Sequence, residues 1–148
     1  MERMDAQLQQ RVWERVRGTT EQPRQENWKG LLYPAQENAQ AYQNLSTQPG
    51  QRNGEKLRRL QQEQRRCIAC IKGICRLRGE KVKTPVVQLP KEPARRTLEK
   101  CYHREKRIWE ACENWSSDPD HGVVFGRLAQ QAREHCMTIL EILGEMEG

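Results

Sequence analysis

The chain has 148 residues, 35% of them hydrophobic and 31% charged, with a single phenylalanine and a formal net charge of +6. That length carries one domain with a real core, and so lean an apolar content suits helices that each bury one stripe. No run of about 18 apolar residues exists, which excludes a spanning helix, and the polar first ten residues lack the apolar centre of a secretory signal.

Residues 3–17 read as a short amphipathic helix, with Met4, Leu8, Val12 and Val16 at helical spacing. Gly18, Thr19 and Thr20 stop it and Pro23 lies in a polar linker. Residues 1–26 are therefore an appendage, and residues 27–148 are the main body. A first helix of that body is expected over 27–47, carrying Leu31, Leu32, Ala35, Ala39, Tyr42 and Leu45, with the regular part beginning near Pro34. A turn at 47–54 follows.

The second helix is predicted over 55–78, with a stripe of Leu57, Leu60, Cys67, Cys70, Ile71 and Ile74 and a stop at Gly79. A connection with Pro85 and Pro90 fills 80–91. The third helix spans 92–115 with Pro93 in its first turn; Leu98, Cys101, Tyr102, Ile108, Trp109 and Cys112 share its face. Ser116 to Pro119 form a turn or cap. The fourth helix spans 120–145 on Phe125, Leu128, Ala132, Cys136, Ile139, Leu140 and Leu143, with Ile142 at the edge.

The first and last pairs have short turns and make antiparallel hairpins. The middle connection can extend to about 40 Å at about 3.3 Å per residue, which matches a helix of about 36 Å. It can therefore cross the length of the body and start the third helix parallel to the second. The fold class is all-α, a four-helix bundle with one long crossover.

Six cysteines fall in helical patterns, at positions 67, 70, 75, 101, 112 and 136. They read as reduced thiols packed as small hydrophobes, which places the protein in the cytoplasm. The Cys67–Cys70 spacing lies in mid-helix, not at a helix start where a redox motif would sit. Residues 51–83 carry eleven Lys or Arg against three Glu. An acidic partner such as nucleic acid is one reading of that excess. A solvated helix face is the plainer one, because no aromatic residue interleaves the charges for stacking. No Gly-rich phosphate loop, supported Ser–His–Asp set or zinc-finger pattern is present.

The chemistry lies in polar residues on apolar stripes. Glu105 falls between Tyr102 and Trp109, Glu63 between Leu60 and Cys67, and His135 between Ala132 and Ile139. Buried carboxylates need partners, so two carboxylates and an imidazole turned into one bundle predict a shared polar site.

This pattern resembles the ferritin and rubrerythrin family over residues 27–146. Dimetal bundles of that kind place one Glu on each of two helices and a Glu-x-x-His pair on each of the other two. Here Glu63 is followed by Arg66 where His would stand, and His135 is preceded by Ala132 where Glu would stand. A ligand Glu in such helices is often followed seven residues later by Tyr; the third helix has Glu105 and then Cys112, the first Ala35 and then Tyr42. Ala35 thus replaces the remaining Glu, since Glu37 points about 200° away. The resemblance implies that Glu63, Glu105 and His135 survive from a dimetal site.

Two carboxylates do not neutralise two divalent ions. Arg66 is expected to take the metal's electrostatic place by pairing with Glu63, Glu105 or both, so that its removal strands charge. The alternative is a residual mononuclear metal site on Glu63, Glu105 and His135, to which His103 and His121 add nothing because they lie off the stripe or in a turn. Soft-metal binding by Cys70, Cys101 or Cys112 with His135 is a lesser alternative. Tyr102 and Trp109 read as core aromatics.

Two functions follow from the resemblance. The first is a non-enzymatic ferritin-like structural or interaction protein without cofactor, forming a homo-oligomer and engaging neither membrane nor nucleic acid. The second is an iron-binding oxidase or peroxide-handling protein with an atypical site.

Overall fold

The computed structural model describes residues 28–147. The chain divides into two units, Met1–Gly30 and Leu31–Gly148. The expected helix over 3–17 lies outside the described residues.

Four α-helices follow Leu31: α1 (Leu32–Ser46), α2 (Gly54–Leu77), α3 (Ala94–Asn114) and α4 (Gly122–Glu147). A 3₁₀ turn, Trp115–Ser117, joins the last two. Among the described residues there is no strand, and no helix is long and apolar enough to cross a membrane.

Each boundary has a local cause. Residues 28–30 are helical, Leu31 is a turn, and α1 starts at Leu32, so the helix expected over 27–47 is interrupted. Pro34 explains the break: it has no N–H to donate to the carbonyl of Gly30 and its ring crowds that carbonyl. The turn after α1 uses Gly50 at φ +74°, a left-handed conformation that glycine adopts without a Cβ penalty. α2 ends as its sequence predicts. Gly79 has φ +83°, its N–H reaches Arg76 O at 2.9 Å, and the Glu80 N–H reaches Cys75 O at 3.0 Å. That pair of bonds is the Schellman closure. Pro93 stands just before α3 as its N-cap and not inside its first turn, and Thr97 N bonds to its carbonyl at 3.0 Å. Ahead of α4, Asp118 Oδ2 accepts the N–H groups of Asp120 and His121 at 3.1 and 2.8 Å, satisfying donors at a helix start.

All four helices meet in one core. Tyr42 and Leu45 of α1, Leu57 and Leu60 of α2, Leu98 and Cys101 of α3, and Ile139 and Ile142 of α4 belong to one buried cluster. Leu89 of the connection packs on the same cluster, while Lys72 Nζ donates to Thr84 Oγ1 at 2.9 Å. Arg78, just past the end of α2, pairs with Asp118, beyond the end of α3, at 3.8 Å.

The stripes differ from expectation on three helices. Cys70 is exposed, and Gln64, Ile68 and Cys75 are buried instead. The seven-residue steps Leu57–Gln64–Ile71 and Leu60–Cys67–Ile74 set the centre of the buried face, and Cys70 falls about 100° from it. On α4, Ile142 is buried and Leu140 is 48% exposed, the reverse of the predicted centre and edge. Tyr102 and Trp109 are half-buried at the rim of α3 and not in the core.

Candidate functional site: a buried glutamate–histidine–glutamate array

Glu63, Glu105 and His135 come together from α2, α3 and α4. His135 Nδ1 lies 3.0 Å from Glu105 Oε2, and Nε2 lies 2.8 Å from Glu63 Oε1. The side chains of Glu105 and His135 are 1% and 4% exposed, and that of Glu63 is 29% exposed. The array therefore runs from the centre of the core to the surface between α2 and α4.

Tyr42 completes the inner end. Its hydroxyl donates to Glu105 Oε2 at 2.6 Å, a short bond of the charge-assisted kind. Asn38 Nδ2 reaches Tyr42 Oη at 3.4 Å and Cys101 O at 3.1 Å. Arg104 donates to Asn38 Oδ1 at 3.2 Å and pairs with Glu37 at 3.1 Å. A continuous polar chain thus crosses the core, from Glu37 and Arg104 on one side to Glu63 on the other.

A carboxylate only accepts, so each ring nitrogen of His135 must carry a proton to bond in both directions. The doubly protonated imidazolium fits this geometry. Burial pulls the His135 pKa down, but the hydrogen bonds and negative charges of Glu105 and then Glu63 outweigh it, and the net shift is upward. A group raised in the folded state contributes stability that is complete below its unfolded value, about 6.5, and is lost as pH rises through the folded value. Urea midpoints should therefore fall as pH rises above about 6.5. The fall should vanish in His135→Gln, and an unchanged pH profile in that variant would remove His135 as its cause.

Burial and the charge of Glu105 hold Tyr42 well above its ordinary value, so its hydroxyl remains a donor. Tyr42→Phe deletes a bond to a charged acceptor, and a loss of about 1.5–3 kcal/mol in denaturant unfolding is expected. Burial raises Cys67, pushes Cys101 and Cys112 up to about 12 and Cys136 up to about 11. Of the soft-metal candidates, Cys70 is exposed while Cys101 and Cys112 are buried.

Arg66 differs most from expectation. It is exposed on the outer face of α2, and the ion pairs of Glu63 and Glu105 go to His135. The three-residue step from Glu63 carries Arg66 away from the core, because Glu63 itself sits at the edge of the stripe. Arg66→Ala is thus a surface change, worth within about 0.5 kcal/mol.

Ala35, Tyr42, Cys112 and Ala132 are buried where the sequence places them. Asn38 and Gln64 were not foreseen as buried. Both were legible: Asn38 lies three after Ala35 and four before Tyr42, and Gln64 lies seven from both Leu57 and Ile71.

These residues do not fit a pair of iron ions. Both nitrogens of His135 are occupied, and two carboxylates face four positive charges. Among the described residues no group of three or more His, Cys, Asp or Glu side chains is arranged to hold a metal ion. Against known proteins, no family model matches the chain, and neither a curated protein nor a solved structure matches it.

Proposed function

We propose that the chain is a ferritin-like helical bundle in which an internal Glu–His–Glu array takes the place of a dimetal centre. It serves as a structural or interaction protein of the cytoplasm, assembled from copies of itself, and not as an iron-dependent enzyme. The observation that carries this reading is the engagement of both His135 nitrogens by Glu63 and Glu105. The imidazolium supplies positive charge where a metal would supply it. The long connection between two hairpins, with Arg78 past the end of α2 paired to Asp118 beyond the end of α3, supports the ferritin-like part.

One observation favours the second reading, an iron-binding oxidoreductase. Glu105 Oε1 is a buried carboxylate oxygen without a partner, and Glu63 opens to the surface. Iron content separates the two. Protein purified without oxygen is offered ferrous iron, desalted and measured by mass spectrometry. No retained iron is the expected result. About one ion per chain establishes the second reading at a single-metal site, and about two overturn the loss of the dimetal centre.

A further inference from the structure

On the side of α2 turned away from the core, Arg58, Arg59, Arg65, Arg66 and Arg76 are all exposed. Among the described residues none of the five makes an ion pair. Arg65 donates only to a neutral partner, Gln43 Oε1, at 3.2 Å. Of the acids of this helix, Glu63 faces His135, while Glu55, exposed in the first turn, lies on the arginine side, seven residues before Gln62.

The five arginines form two rows. At 100° per residue, Arg58, Arg65 and Arg76 fall within about 20° of one another, and Arg59 and Arg66 form a second row about 100° round the helix. The strip between the rows holds Gln62, Ala69 and Gly73, all exposed, with Glu55 at its N-terminal end. Two of those three have almost no side chain, so the backbone can approach a partner closely. On a helix about 10–12 Å across with its side chains, rows 100° apart stand about 8–9 Å from each other, and the long arginine stems can splay further. The major groove of B-form DNA is about 12 Å wide, and phosphates line both of its walls.

We propose that α2 lays this face into the major groove of duplex DNA. The Arg58, Arg65 and Arg76 row neutralises phosphates on one wall, and Arg59 and Arg66 do so on the other. Ala69 and Gly73 let the helix settle toward the base edges, where the amide of Gln62 has the donor–acceptor pair that matches adenine. Stacked bases need no aromatic residue, so the lack of interleaved aromatics counts against single strands but not against a duplex. A-form RNA is disfavoured because its major groove is too narrow for side chains to read. A partner acidic helix offers a single stripe of charge and matches two separated rows less well. This inference is independent of what occupies the core.

The test is fluorescence anisotropy of a labelled 20-base-pair duplex with the full chain, titrated between 50 and 200 mM salt. Five phosphate contacts at about 0.9 each give a log–log slope near −4.5, about a 500-fold loss of affinity across that range. Arg59→Gln/Arg66→Gln should flatten the slope by about 2, and Arg58→Gln/Arg65→Gln/Arg76→Gln by about 3. All five are exposed, and circular dichroism melting checks that the variants stay folded. Gly73→Leu supplies a steric arm: nothing lies within 4 Å of where a Cβ would sit, so the fold accepts it. It should weaken binding with the slope unchanged. Equal affinity for a single strand, tighter binding to polyglutamate than to the duplex, or a slope unmoved by both arginine variants would each overturn the proposal.

Discussion

Replacing His135 with leucine should lower the free energy of unfolding by about 3–5 kcal/mol, because it strands a buried carboxylate. Leucine fills a volume close to that of histidine, so the loss reports charge and not a cavity. Glu105 is 1% exposed and would keep only the Tyr42 hydroxyl. Glu63, 29% exposed, can turn to water and should add little. The triple change Tyr42→Phe/Glu105→Leu/His135→Leu should then recover the loss, returning stability to the parent value or about 1–4 kcal/mol above it. Urea unfolding of the parent, single and triple variants checks both steps. A single variant as stable as the parent would show that Glu105 finds another partner when His135 is gone. The expected pattern means that the array does not maximise stability, so whatever keeps a tyrosine, two glutamates and a histidine there is a matter of specificity or function.

The helices were legible because their signals are local. Seven-residue recurrence of Leu, Ile and Cys marked the buried faces, and Gly79 and Asp118 marked ends whose hydrogen bonds the structure supplies. The convergence of Glu63, Glu105 and His135 was also legible, since Glu105 and His135 at the centre of their stripes have nowhere else to go and Glu63 lies at the edge of its own, within reach of them. The role of Arg66 was not. Its placement hung on counting three residues from Glu63, and a residue at the stripe's edge leaves its i+3 neighbour free to fall on either side. Which group neutralises a buried carboxylate is decided by distances between helices, and sequence periodicity does not contain those. Leu140 and Ile142 show the same limit, because they lie on opposite edges of the stripe, about 200° apart, and how α4 is rolled decides which of them is buried.

Two substitutions near the turn before α4 test whether that turn sets the helix's roll and register. Phe125 is fully buried, with its ring 5.3 Å from Trp115 at 63°. Phe125→Ala leaves a cavity and should cost about 3–5 kcal/mol. The Asp118 cap and the remaining contacts still hold the helix start, so His135 keeps its partners and its raised pKa. Gly122 is the first residue of α4, and a Cβ there collides with the Ser116 carbonyl oxygen. Backbone cannot swing aside as a side chain can, so Gly122→Ala must shift the start of α4. Overpacking of that sort costs about 1–3 kcal/mol. A helix is stiff along its axis, and His135 lies about 20 Å further on at about 1.5 Å per residue. The displacement therefore reaches the 2.8 and 3.0 Å bonds that hold the imidazole. Weakening them removes the effect that opposes burial, and the His135 pKa should drop. Urea unfolding with NMR titration of the His135 ring should show the larger stability loss in Phe125→Ala and the larger pKa change in Gly122→Ala. The reverse ranking would mean that α4 is positioned by its packing along the core and not by the turn that starts it.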